Sequence, residues 1–149
     1  MVSVKQKTNP TFTEFVILIS LMMSLTALSI DAVLPALAQI GTELGVQNPN
    51  DRQLVITMIF LGLSVGQLFF GPLSDQTGRK PAIYIGLVGY MLGALLSAFS
   101  VNFTMMLFGR FLQGIGVSAP RAVTLALVRD QYEGRRMAQV MSFVMPIFI

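Results

Sequence analysis

Residues 53–99 contain two apolar runs on either side of a short charged segment. They read QLVITMIFLGLSVGQLFF (53–70), GPLSDQTGRKP (71–81) and AIYIGLVGYMLGALLSAF (82–99). At about 1.5 Å per helical residue, each run approaches the thickness of a hydrocarbon core of about 30 Å. Gly78 permits a positive φ in a tight turn, whereas Gly71 and Pro72 favour the end of a helix. The stretch therefore predicts two membrane-spanning helices joined by a charged turn.

The same pattern extends outward in both directions along the chain. The predicted spans are 15–38, 53–70, 81–99, 103–127 and 137–149, and the last run stops short of the ~20 residues that a crossing needs. We therefore predict an all-α membrane protein with four complete spans and part of a fifth. Residues 1–149 are expected to form a partial helical bundle, with a remaining C-terminal part in the same protein.

The composition excludes several other classes of protein. Hydrophobic residues make up 54% of the chain and charged residues only 11%, whereas soluble domains carry about 25% charged residues. There are no cysteines or histidines, which excludes disulfides and sites built on those metal ligands. No nucleic-acid motif, phosphate-binding loop or catalytic carboxylate pair is present. We therefore expect neither an enzyme nor a bound metal, cofactor or nucleic acid.

The basic residues predict how the chain is oriented in a cell membrane. One side of the alternating spans carries nearly all of them, and only Arg52 falls on the other side. Cytoplasmic loops are enriched in Lys and Arg, so this asymmetry predicts a multi-pass protein of the inner membrane with a cytoplasmic N-terminus. The residues on the predicted cytoplasmic side are Lys5, Lys7, Arg79, Lys80, Arg129, Arg135 and Arg136.

Two charged residues fall within predicted spans, Asp31 in the first and Arg110 in the fourth. A charge at the centre of a spanning helix costs about 2.5 kcal/mol or more, so it needs a partner, a proton or water. Both lie at a similar depth from the same membrane surface, which makes them candidates for a pair. Gln113 shares a helical stripe with Arg110. The residues alone leave open a permanent salt bridge or a group that titrates or faces substrate.

Two motifs resemble those of the major facilitator superfamily. The charged turn is similar to the family signature G-x-L-x-D-x-x-G-R-K, with matches at Gly71, Leu73, Asp75, Gly78, Arg79 and Lys80. Residues 110–116, RFLQGIG, resemble the fourth-helix pattern R-x-x-Q-G of drug:proton antiporters. Residues 34–37, LPAL, and 128–130, VRD, are similar to the Bcr/CflA branch of multidrug exporters.

The resemblance implies a twelve-helix fold, of which this chain would be the N-terminal half, about four and a half transmembrane helices from the first six-helix bundle. It implies proton-coupled efflux of small amphipathic drugs, such as chloramphenicol- or bicyclomycin-like compounds. Asp31 would take part in proton coupling or drug recognition, with Arg110 and Gln113 in the cavity.

The resemblance also implies a cytoplasmic latch formed by Asp75 and Arg79, with Asp130 as a partner for Arg79. Two alternatives to drug efflux remain open. One is a proton-coupled nutrient symporter of the same superfamily, and the other is a membrane fragment that does not transport.

Overall fold

The computed structural model describes residues 12–131 and 134–144, and these residues form helices and turns without a strand. The helices, in chain order, are α1 (Phe12–Asp31), α2 (Leu37–Glu43), α3 (Leu54–Thr77), α4 (Arg79–Ala98), α5 (Phe103–Gln131) and α6 (Gly134–Val144). A 3-10 turn, Asp51–Gln53, precedes α3.

Four of these helices, α1, α3, α4 and α5, are long and apolar enough to cross a membrane. The predicted all-α fold with four complete spans is thereby confirmed. The fifth predicted span, 137–149, corresponds in part to α6, while residues 145–149 lie outside the described residues. Lys5 and Lys7 also lie outside them.

The first span ends earlier than the predicted boundary at residue 38. The helix stops at Asp31, residues 32–36 form a turn, and the short helix α2 follows. Pro35 explains the break, because it has no backbone N–H and disfavours a helical conformation in the residue before it. The early end matters for the site, since it places Asp31 at the terminus of α1.

The helix of the second span ends later than the predicted boundary at residue 70. The predicted helix end at Gly71-Pro72 is wrong, because α3 continues through Pro72 to Thr77. A proline inside a helix removes one backbone hydrogen bond and crowds the preceding turn, and α3 accommodates both effects at the exposed Pro72. The tight turn is confirmed: Gly78 alone separates α3 from α4, with φ of 96°.

The helix α5 is the centre of the bundle. It packs closely against α3 and α4 and more loosely against α1. Glycines make the close packing possible: a Cβ at Gly62 of α3 would collide with the Phe111 carbonyl, and one at Gly116 of α5 with the Tyr90 amide. Small residues let helix backbones approach in lipid, where the hydrophobic effect does not drive association.

Apolar clusters hold the remaining elements. Phe15, Ile19 and Met23 of α1 pack with Val128 of α5 and Val140 of α6. At the opposite end, α2 packs over the first turns of α3 and α5. Many large apolar side chains face outward, as expected for helices surrounded by lipid, among them Leu68, Phe69, Tyr84, Val88 and Met91.

We expect Gly93→Ala to destabilise the packing of α4 on α5. The new methyl group would lie 2.7 Å from the Gln113 Cα and 2.8 Å from the Gly109 carbonyl oxygen, and backbone atoms cannot rotate away. Overpacking of this kind costs about 1–3 kcal/mol, which thermal unfolding of the purified protein should detect.

Gly89→Ala is the matched control on the same helix. Its added methyl group would meet only the Gly116 Cα, at 3.7 Å, an ordinary contact. Equal melting temperatures for the two variants would contradict the proposed packing.

Candidate functional site

One end of the bundle is organised by Arg79, the first residue of α4. Its Nη1 donates to the Asp75 carboxylate and to the Ser74 hydroxyl, both at 2.7 Å. Its Nη2 donates to Asp130 Oδ2 at 2.8 Å. Arg79 therefore ties the last turn of α3 to the last turn of α5. We call this end of the bundle the Arg79 end.

The other residues of the signature turn surround this network. Gly71 lies inside α3, Gly78 makes the turn, and Lys80 is exposed and forms no ion pair among the described residues. A cavity of about 290 Å³ lies beside the network, and Ala126 and Arg129 of α5 contribute to its wall. The sequence analysis assigned no role to Ser74. A signal was available, because Ser74 lies four residues after the apolar Phe70 and therefore on the same face of α3, which is buried.

Arg110 lies in α5 towards the opposite end of the bundle, which we call the α2 end. Its Nη1 donates to Gln113 Oε1 at 3.1 Å, and the two residues share the stripe that the sequence predicted. Its Nε is buried and has no hydrogen-bond partner. No acid forms an ion pair with Arg110 among the described residues, so its charge within the span is not neutralised by a carboxylate.

Arg110 and Gln113 line a cavity of about 330 Å³ at the α2 end. Glu43, the last residue of α2, lines the same cavity, and so does the buried Ser97, whose hydroxyl has no partner. Ile40, Ala94 and Met106 supply apolar wall. A guanidinium, an amide and a carboxylate are therefore gathered around one partly enclosed space at the α2 end of the bundle.

Asp31 lies at the same end but apart from Arg110. It is the last residue of α1, its side chain is exposed, and it forms no ion pair with Arg110. The expected pair is therefore not formed in this structure. The matched depth of the two residues stays a prediction, and depth alone does not fix the direction in which a side chain points.

The sequence missed a polar contact between α1 and α4. The Ser29 hydroxyl is hydrogen-bonded to the Tyr90 hydroxyl at 3.0 Å, and Ser29 is buried. The available signal was Tyr90 itself, because a tyrosine within a spanning helix usually places its hydroxyl where it finds a hydrogen-bond partner; here Tyr90 is half-buried. Within residues 12–131 and 134–144, no group of His, Cys, Asp or Glu could hold a metal ion.

Comparison with known proteins assigns the family. Residues 19–148 match the family profile of the Major Facilitator Superfamily. The chain belongs to this superfamily, a family of membrane transporters, and the four spans and the signature turn agree with that membership.

Several relatives are similar to the chain over most of its length. It is 35% identical over 142 residues to the uncharacterized MFS-type transporter YdgK of Bacillus subtilis, covering 93% of this chain and 35% of that protein. It is 33% identical over 138 residues to a bicyclomycin resistance protein homolog of Haemophilus influenzae, covering 91% of this chain and 34% of that protein.

A third relative is the multidrug resistance protein MdtL of Citrobacter koseri, 33% identical over 134 residues, which covers 89% of this chain and 34% of that protein. The chain thus spans about a third of the length of the relatives that it matches.

Proposed function

We propose that this chain is the N-terminal part of a proton-coupled exporter of small amphipathic drugs. The observation that carries the proposal is Arg110, a guanidinium within a spanning helix that lines a partly polar cavity and has no carboxylate partner in residues 12–131 and 134–144. An ionisable residue in a span marks a substrate or ion pathway by default, because its burial is costly. Arg110 and Gln113 would be the cavity residues, and no covalent chemistry is assigned to the protein.

Asp31 would be the group that exchanges a proton. Its exposed side chain at the end of α1 can reach water or a ligand without first breaking an ion pair. A carboxyl group binds a proton more tightly when it is desolvated and less tightly near a cation. Binding of a drug next to Asp31 would therefore change its proton affinity, and the exchange would couple the two fluxes.

The Arg79 end would be the cytoplasmic latch. Arg79 joins Asp75 on α3 to Asp130 on α5, and such a link can break when two halves of a transporter rock against each other. The basic residues at this end, Arg79, Lys80 and Arg129, support a cytoplasmic location by the positive-inside rule. The N-terminus would then also be cytoplasmic, in the inner membrane.

The proposed class of substrate is inferred from the names of the relatives. Two of them are named for resistance to bicyclomycin or to multiple drugs, which favours export of drugs over uptake of a nutrient. The remaining C-terminal part of the same transporter would supply the other wall of the substrate cavity.

Direction of flux tests the proposal. In everted vesicles that contain the full-length transporter with this chain, an acidic lumen should drive accumulation of labelled chloramphenicol or bicyclomycin, because protons leave as the drug enters. An uncoupler should abolish the accumulation. Loss of the compound from the acidic lumen would instead indicate a symporter, and no flux dependent on the gradient for any tested drug would contradict export.

A further inference from the structure

Two groups of opposite charge line the cavity at the α2 end. The Arg110 guanidinium and the Glu43 carboxylate both contribute to its wall, yet they form no ion pair with each other or with another residue that the structure describes. The cavity of about 330 Å³ is at the lower end of the range for small-molecule sites, about 300–1,000 Å³. One small molecule can therefore contact both groups at once.

The two charged residues differ in their burial. Glu43 is exposed, whereas Arg110 is half-buried and donates to Gln113, which is buried. The cation therefore lies deeper in the cavity than the carboxylate. Ile40 and Met106 add apolar surface to the same wall, so the cavity offers a cation, an anion and an apolar surface to one ligand.

The Glu43 carboxylate can accept a hydrogen bond from a ligand. Gln39 Nε2 donates to Glu43 Oε1 at 2.8 Å, and the second carboxylate oxygen has no hydrogen-bond partner in the part of the chain that the structure describes. An ionised carboxylate has about four lone-pair sites for hydrogen bonds. Because the Gln39 amide is neutral, it orients the carboxylate without compensating its charge.

The helix α2 holds Glu43 at the cavity. Leu37, Ile40 and Leu44 pack against buried side chains of α3 and α5. On another face of α2, the side chain of Arg52 crosses Gly41, where a Cβ would lie 2.5 Å from the Arg52 Cδ. The backbone that carries Glu43 is therefore in place before a ligand binds, which lowers the entropy lost on binding.

Opposite charges on one cavity select ligands by the order of the groups along the molecule. An anion without other charged groups is attracted by Arg110 and repelled by Glu43, and a simple cation meets the reverse. A compound with an acceptor group at one end and an amine at the other gains from both residues. Repulsion of the other compounds adds to the selectivity.

We propose that this cavity binds dipolar amphipathic compounds and that Glu43 is a residue that determines specificity. An oxygen acceptor group of the ligand contacts Arg110, and an N–H or O–H donor, most strongly a protonated amine, contacts Glu43. The inference rests on the proposed function and deepens it, because it names the chemical class of the ligand of the same cavity.

A cysteine in the cavity measures binding without transport. The chain has no cysteine, and Ala94 lines the cavity. In a full-length transporter in which Ala94→Cys provides the only cysteine, a bound compound should slow alkylation by N-ethylmaleimide. The concentration that halves the rate gives the dissociation constant. The probes are para-(aminomethyl)benzoate and para-ethylbenzoate, which have the same shape but differ in the ammonium group.

We expect para-(aminomethyl)benzoate to protect the cysteine. The ratio of the two dissociation constants, para-ethylbenzoate over para-(aminomethyl)benzoate, should fall by about fivefold in Glu43→Gln, as for loss of one partly exposed ion pair. The ratio isolates the contact of the ammonium group with Glu43, since other effects of the substitution act on both compounds.

Asp51→Asn is the matched control. Asp51 is also an exposed acid at the α2 end, but it does not line the cavity, so its substitution should leave the ratio unchanged. An unchanged ratio in Glu43→Gln, or equal falls in the two variants, would overturn the inference, and so would absence of protection by para-(aminomethyl)benzoate. The measurement needs no pH gradient, so its failure is distinguishable from failure of the flux experiment.

Discussion

We expect Asp31→Asn to abolish drug efflux driven by a pH gradient in the full-length transporter that contains this chain. Asparagine keeps the size and polarity of the side chain but cannot release a proton at physiological pH. Efflux driven by the gradient should fall to the level seen without a gradient, because the substituted side chain has no proton to exchange. Uptake of labelled chloramphenicol into everted vesicles with an acidic lumen measures the effect.

Two controls make the result specific to the position of the carboxyl group. Asp51→Asn removes another exposed acid at the same end of the bundle and should leave efflux intact. Asp31→Glu keeps the titrating group and should retain part of the activity. Full activity of Asp31→Asn would remove Asp31 from the coupling mechanism, whereas equal losses in Asp31→Asn and Asp51→Asn would point to a general effect of charge.

We expect Arg79→Ala to open the Arg79 end of the transporter. The substitution breaks the ion pairs with Asp75 and Asp130, at 2.7 and 2.8 Å. Partly exposed pairs contribute about 0.2–1 kcal/mol each, so losing both should change the ratio of closed to open states by roughly tenfold. Transport should fall, because the outward-facing state then loses its closure.

A single cysteine measures this opening directly. Ala126 lines the cavity beside Arg79, and Ala126→Cys should react faster with a membrane-impermeant maleimide in everted vesicles when Arg79 is replaced. Asp130→Asn should produce a smaller increase, because one ion pair remains. Lys80→Ala removes the adjacent cation, which forms no ion pair with a residue that the structure describes, and should not alter the rate. An unchanged rate in Arg79→Ala would rule out a latch at this end.

Much of the fold followed from the sequence, since it depends on local properties of the chain. Apolar runs near 20 residues long predict spans, and the Gly78 turn follows from the one residue that tolerates its φ of 96°. The ends of the helices were harder to predict from the sequence. Pro35 and Pro72 give the same local signal, yet α1 stops before the first and α3 continues through the second. A proline alone therefore does not decide whether a helix ends or continues.

The site was predictable where partners lie on one helix. Arg110 and Gln113 are three residues apart, and helical geometry brings such side chains together. Contacts between helices were harder to predict from the sequence, because packing of the helices against one another sets the rotation of each helix about its axis. The hydrogen bond of Ser29 with Tyr90 and the separation of Asp31 from Arg110 both depend on that rotation.

The exchange of a proton for a drug at Asp31 is tested most directly by release of protons on binding. The purified full-length transporter is placed in weakly buffered detergent solution with a pH-sensitive dye, and chloramphenicol is added. The wild-type protein should release protons as it binds the drug, and Asp31→Asn should bind the drug and release none. Equal release from the two proteins would contradict the assignment.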